Sequence, residues 1–150
     1  MRALVQRVSE ASVTVEGKVT GQIGKGFLVL LGVADSDEAG DLDYISKKLP
    51  ALRVFEDEAG KMNLSIHDVK GELLVVSQFT LIADTRKGNR PSFIGAARPE
   101  KAVPMYEELV KRLRGVGIKV ETGVFGADMK VRLLNDGPVT ILLDSREGIA

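Results

Sequence analysis

The stretch ALVQRVSEASVTVEGKVTGQI, residues 3–23, alternates apolar and polar side chains almost throughout. A period of two places successive side chains on opposite faces of a strand, so this stretch reads as half-buried β structure, with ALVQRV and ASVTVEG as strands. Gly17 and Lys18 separate SVTVE from VTGQI and mark a hairpin. Working outward, GFLVLLGV (26–33) is a short, uniformly apolar run, as a buried strand would be, and GELLVVSQFTL (71–81) is the next most β-like segment. LRVFED (52–57) reads as a strand followed by the turn DEAGK. IKVETGVFG (118–126), MKVRLLND (129–136) and VTILLDS (139–145) read as three more.

Helical spacing occurs twice. SDEAGDLDYISKKLPALR (36–53) opens on Ser36 as a capping residue, sets Leu42, Ile45 and Leu49 on one face and closes at Pro50. PMYEELVKRLRG (104–115) stacks Met105, Leu109 and Leu113 at four-residue spacing, with Gly115 to cap its end. Between them, residues 82–100 hold Gly, Pro and polar residues with no steady period, which predicts a long loop. About eight strands, two main helices and hairpin-like connections define an α+β chain with mostly antiparallel sheet, because regular βα alternation is absent. A length of 150 residues suits a single domain spanning 1–150.

Composition narrows the chemistry. Lys+Arg and Asp+Glu both number 21, so net charge does not point to a polyanion and any nucleic-acid contact must come from a local patch. There is no cysteine, which excludes disulfides, thiolate catalysis and cysteine-ligated metals. The single histidine, His67, lies in the polar turn NLSIHDV and reads as a solvated surface residue. Carboxylates are scattered without ligand spacing, so no metal site and no cofactor is predicted. GQIGKG lacks the terminal Ser/Thr and the following helix of a phosphate-cradling loop and reads as a turn. The N-terminal residues carry Arg2 and Arg7 without a signal-type apolar region, and the longest apolar run is too short to span a bilayer; a cytoplasmic protein with no membrane partner is expected.

Three stretches remain. SQFTL (77–81) closes an apolar strand with two hydroxyls and an amide; alternation would put Ser77, Phe79 and Leu81 on one face and Gln78 and Thr80 on the other, and the plain reading is a strand leaving the core. TRKGNRPSF (85–93) concentrates Arg86, Lys87 and Arg90, whose groups suit phosphate contacts or simply solvate a loop. NDGPVT (135–140) sets Gly137 and Pro138 at the mouth of an apolar strand, where proline belongs only at starts, edges and bulges.

Taken with QRV, EASVTV, FEDEAGKMNLS and FGADM, these stretches resemble the D-aminoacyl-tRNA deacylase family from end to end, in matching order and spacing. The resemblance implies a partly barrel-like β structure, no metal requirement and hydrolysis of the ester joining a D-amino acid, or glycine mischarged on tRNA-Ala, to the 3′ end of tRNA. It implies a cytoplasmic homodimer with the active site at the subunit interface. There, a cis Gly137-Pro138 peptide of one subunit enters the pocket of the other and excludes L-amino acids. Ser77, Gln78, Phe79 and Thr80 match the catalytic wall, Ala102 and Met129 the aminoacyl pocket, and Arg7 an arginine that braces the Gly-Pro segment. Arg86, Lys87 and Arg90 become candidates for tRNA phosphate. Pro104 departs from the ordinary helix formers expected at that point.

Without a second histidine or a cysteine, catalysis would rest on holding an already labile ester, with backbone N–H groups around Gln78, Phe79 and Thr80 as oxyanion donors and the 2′-hydroxyl of the terminal ribose orienting water. Thr80 as a nucleophile is the competing mechanism, one that lacks a neighbouring base. Outside the enzyme class, a non-enzymatic RNA-binding module would account for the basic loop, and a purely structural homodimer would account for neither site motif.

Overall fold

The computed structural model of the protein describes residues 1–148. Its organising element is β1 (Arg2–Val15), a single strand through both of the stretches read as separate strands. β1 returns as β2 (Lys18–Ile23) through Glu16 and Gly17, with φ of 49° and 79°. Two consecutive positive φ values define the hairpin turn whose twist matches that of the flanking strands. β3 (Gly26–Gly32) pairs antiparallel with the first half of β1, and β2 with the second half.

The chain then leaves the sheet through α1 (Ala39–Ala51) and the small separate pair β4 (Phe55–Glu56) and β5 (Met62–Leu64). It returns as β6 (Glu72–Ser77), parallel to β3. A second excursion, through α2 (Pro99–Gly115), returns as β7 (Val120–Thr122), parallel to β6. Finally β8 (Lys130–Asp144) runs antiparallel along the other edge of β1 and ends in α3 (Ser145–Gly148). The sheet order is β2-β1-β3-β6-β7, with β8 flanking β1. Antiparallel pairings predominate, as expected, and the two parallel ones follow from the helical crossovers. β2 closes toward β7 at Gly21, where a Cβ would stand 2.5 Å from Thr122 O, so the mixed sheet is nearly barrel-shaped.

The apolar runs have a clear cause. β3 and β6 are covered on both faces, which removes the need for alternation. Phe27, Val29, Leu31, Leu73 and Val75 meet Leu42, Ile45 and Leu49 of α1 and Leu109 and Leu113 of α2. On the other side Leu28, Leu74 and Val76 meet Val8, Ala11 and Val13 of β1. β1 thus changes the face it buries, since Ala3 and Val5 belong to the helix side; its pairing with β8 is irregular between Gln6 and Glu10, where the change occurs.

Several expected boundaries move. β6 ends at Ser77, and residues Phe79–Ile82 form a 3-10 helix, so the predicted alternation through Leu81 does not exist. α2 starts at Pro99, not at Pro104. Pro99 occupies a first-turn position that needs no N–H, and Pro104 lies inside a helix held by its buried face of Ala102, Tyr106, Leu109, Val110 and Leu113. Glu38 takes the capping position in place of Ser36, and the Asp41 carboxylate accepts from its N–H at 2.8 Å. The 52–57 strand shrinks to β4, and 118–126 contributes only β7. MKVRLLND and VTILLDS are one strand, with the Gly-Pro pair inside it. No helix among the described residues is long and apolar enough to cross a membrane.

Gly26 begins β3 against the backbone of Glu72, and a Cβ there would lie 1.8 Å from Glu72 O. Gly26→Ala must part the parallel β3–β6 pairing and is expected to cost about 1–3 kcal/mol or more, as overpacked sites do; urea denaturation of wild type and variant checks this.

Candidate active site

β3 and β6 end side by side, and a cavity of about 590 Å³ opens beyond their C-terminal ends. Leu31, Val33, Val76 and Ser77 form its floor, Gln78 and Phe79 one wall, Ala102 and Tyr106 of α2 another, and Met129 a third. Five of the residues singled out from the sequence, Ser77, Gln78, Phe79, Ala102 and Met129, therefore meet at one hollow although they come from three separate stretches. Thr80 stands beside it, exposed, without lining it.

The wall gets its shape from the change of backbone geometry after Ser77. The Gln78 N–H donates to Leu31 O at 2.7 Å and so prolongs the sheet by one bond. The chain then tightens into the 3-10 helix, with Leu81 N–H donating to Gln78 O at 3.2 Å. The first N–H groups of a helix have no partner within it. Among the described residues nothing accepts from the N–H of Phe79 or of Thr80. The Gln78 N–H, by contrast, is already engaged, which removes it from the set of expected oxyanion donors. The Gln78 amide Nε2 donates to the Thr80 hydroxyl oxygen at 2.5 Å, and no carboxylate or imidazole bonds that hydroxyl.

The cavity's titratable lining is sparse: Arg98, Tyr106 and Asp128. Asp128 accepts from Lys130 Nζ at 3.1 Å and Arg98 stands 3.8 Å from Glu100. The Tyr106 hydroxyl donates to Val75 O at 2.7 Å, and burial pushes its phenol up to about 12, with the Thr122 hydroxyl and Arg114 opposing the shift. A phenol so held stays protonated near neutrality and is no general base. Sequence reasoning missed Tyr106, although its spacing of four from Ala102 places it on the same helical face. Phe93, packed edge-on against Phe79 at 5.2 Å, was missed inside the irregular loop. His67 is exposed and does not line this cavity; it lines a separate hollow of about 240 Å³ with Lys70 and Lys119.

Gly137 and Pro138 line neither hollow of their own chain. Their peptide bond is cis. Within β8 the pairing jumps from Asn135, opposite Val8, to Thr140, opposite Gln6. Residues 136–139 therefore stand out from the sheet opposite Arg7. The buried Arg7 guanidinium donates from Nε to Asp136 O at 2.8 Å and from Nη1 to Val54 O at 2.6 Å. Asn135 Nδ2 closes the base of the loop, donating to Arg7 O at 2.9 Å and Val139 O at 3.0 Å.

The basic stretch is better ordered than its composition suggests. Asp84 and Ser92 exchange backbone hydrogen bonds of 2.8 and 2.9 Å and close residues 85–91 into a loop. Arg86 turns back onto Asp84 with bonds of 2.9 and 2.7 Å, which holds that carboxyl down at about 2. Arg86 is thus neutralised locally, whereas Lys87 and Arg90 are exposed and without an ionic partner among the described residues.

Comparison with known proteins gives the same picture over nearly the whole chain. The family described as D-Tyr-tRNA(Tyr) deacylase matches residues 4–144. The D-aminoacyl-tRNA deacylase of Anaeromyxobacter dehalogenans is 63% identical over 97% of this chain and 98% of its own, and that of Flavobacterium johnsoniae is 58% identical over 97% and 98%. The solved structure of a c-Myc DNA unwinding element binding protein superposes with a TM-score of 0.91 at 45% identity, covering 96% of this chain and 98% of that one. A probable eukaryotic D-amino acid tRNA deacylase shares the fold at 18% identity, with a TM-score of 0.80. Matches of this extent place the protein among the hydrolases. The chain belongs to the D-Tyr-tRNA(Tyr) deacylase family and is an enzyme of the D-aminoacyl-tRNA deacylase type.

Removing the buried cation strands two carbonyls: Arg7→Met is expected to destabilise the fold by about 3 kcal/mol, read by urea denaturation, since hydrogen bonds to charged groups are worth about 1.5–3 kcal/mol each. The raised phenol of Tyr106 predicts stability that is level below the ordinary tyrosine range near 10 and falls as pH climbs from there toward about 12, because the unfolded chain ionises first. Absorbance titration of tyrosinate should show one tyrosine ionising only near that upper limit.

Proposed function

We propose that the protein hydrolyses the ester bond of D-aminoacyl-tRNA, and of glycyl-tRNA mischarged on tRNA-Ala, releasing the amino acid and free tRNA as a chiral proofreader in the cytoplasm. The observation that carries the reading is the start of the 3-10 helix at Phe79 and Thr80: two N–H groups without acceptors among the described residues, beside a cavity that no histidine or cysteine lines. Such donors suit the oxyanion that forms when water adds to an ester carbonyl, and preorganised donors are commonly the largest single contribution to this kind of catalysis. Water attacks the carbonyl, the tetrahedral oxyanion rests on the two N–H groups, and the ester bond breaks as a proton from the attacking water passes to the ribose oxygen, which leaves as its hydroxyl. The neighbouring 2′-hydroxyl orients the water. Thr80 is a poor nucleophile here, since its oxygen already accepts from Gln78 and no base adjoins it.

Chirality is assigned to Gly137 and Pro138, acting on a neighbouring subunit. Their exposure and their absence from the cavity of their own chain support this reading. The assembly is a homodimer with the active site at the subunit interface. β8 supplies a suitable surface, since its outer edge pairs with no strand among the described residues, and Leu134 and Leu142 are 56% and 54% exposed on either side of the Gly-Pro loop. Arg7, through Asp136 O, holds that loop in place. A wall that rejects a side chain by collision also admits glycine, which has none. Ala102 and Met129 line the aminoacyl pocket. Lys87 and Arg90 are the preferred phosphate contacts, with Arg86 serving mainly to order the loop through Asp84.

Metal-free protein incubated with D-tyrosyl-tRNA and L-tyrosyl-tRNA should cleave only the former; binding of both without loss of ester would sustain an RNA-binding module instead. Thr80→Ala should keep turnover within about tenfold of wild type, whereas a loss of some four orders of magnitude with binding intact would assign the nucleophile to its hydroxyl. A Cβ on Gly137 would meet Val139 N at 2.2 Å, so Gly137→Ala must move the loop and is expected to lower the D-over-L ratio or the rate itself.

A further inference from the structure

The 3-10 helix that carries the two free N–H groups has no buried residue of its own. A four-residue helix is marginal without outside support. Its support comes from a row across three strands. Arg2 of β1 pairs with Gly32 of β3 on one side and with Asp144 of β8 on the other, and residues directly opposite in a sheet share a face. Arg2 Nε donates to Asp144 Oδ2 at 3.1 Å, which fixes the guanidinium, and Nη1 donates to Leu81 O at 2.7 Å. Gly32 lies under the same turn: a Cβ there would stand 3.0 Å from Gln78 O, 3.0 Å from Leu81 Cβ and 3.2 Å from Ile82 Cδ1. The turn is thus seated on bare backbone and tied at a carbonyl. None of Arg2, Gly32 and Asp144 lines the cavity.

We propose that Arg2, anchored by Asp144, and Gly32 are positioning residues for hydrolysis: they set where the Phe79 and Thr80 N–H groups stand. This rests on the deacylase reading of that wall. Arginine suits the task because its planar fork reaches a carboxylate and a carbonyl at once, which a lysine ammonium does with less fixed direction. Gly32 suits it because any side chain would lift the turn by a few tenths of an ångström.

The test is the turnover of D-aminoacyl-tRNA by Arg2→Met, Arg2→Lys, Asp144→Asn and Gly32→Ala, with kcat and KM separated and the melting temperature of each recorded. Arg2→Met is expected to lower kcat by about 10- to 100-fold with KM within about twofold, as small misplacements of catalytic donors do. Arg2→Lys should recover part of the loss. Asp144→Asn should lower kcat, and add little on top of Arg2→Met, since both release the same guanidinium. A purely structural role would lower the melting temperature and leave kcat per folded molecule unchanged, with no recovery by lysine; that result overturns the inference while the deacylase reading stands. Should Arg2→Met fail to fold, unchanged kcat in both Arg2→Lys and Gly32→Ala overturns it equally. Wild-type protein with no turnover would sink the underlying reading instead.

Discussion

One buried cation governs the architecture around β8. Arg7 points into the helix-side interior at a place where the β1–β8 ladder is interrupted, and its guanidinium is met by two backbone carbonyls, Asp136 O and Val54 O, with the Asp136 carboxylate 3.7 Å away. A buried charge is tolerable only when its donors are met. The interruption supplies one acceptor by turning residues 136–139 out of the sheet, and the segment before β4 supplies the other. The Gly-Pro loop therefore stands out from the sheet at a position determined by a charge that cannot be left unpaired, with Asn135 tying its base.

The cavity wall after β6 follows the same logic with neutral groups. Where β6 stops pairing after Gln78, the chain tightens into a 3-10 helix, and helix geometry leaves its first N–H groups without internal partners. Strand termination thus produces the donors that the proposed chemistry needs, and the side chains nearby do little more than shape the hollow. Tyr106 illustrates this: its hydroxyl is spent on Val75 O and its ring forms a wall. In the proposed reaction the catalytic burden falls on main chain, carried by a framework whose helix-side core lies between the sheet and α1 and α2.

Much of the fold was legible in the residues. Alternation in 3–23, the apolar runs at Phe27–Leu31 and Leu73–Val76, and the spacing of Leu42, Ile45 and Leu49 each follow from burial on one or two faces, which is a property of local pattern. The α+β class and the mostly antiparallel sheet came from these. Boundaries set by tertiary contacts were not legible. Pro104 is carried inside α2 because the buried face from Ala102 to Leu113 outweighs one lost bond, and Gly137-Pro138 sits within a strand because Arg7 fills the gap in the ladder. The site motifs at 77–80 and 137–138 were recognisable as motifs, and the family resemblance had already set them on different subunits.

The sequence by itself therefore determined the class of fold and the lack of cysteine chemistry, since composition and periodicity are written residue by residue, while the family resemblance marked the two short stretches on which the proposed function turns. Tertiary structure alone decided which N–H groups stay free and that Arg2 and Gly32 meet beneath the 3-10 helix. Those outcomes depend on distances between residues far apart in the chain, and no local pattern encodes a distance across a sheet.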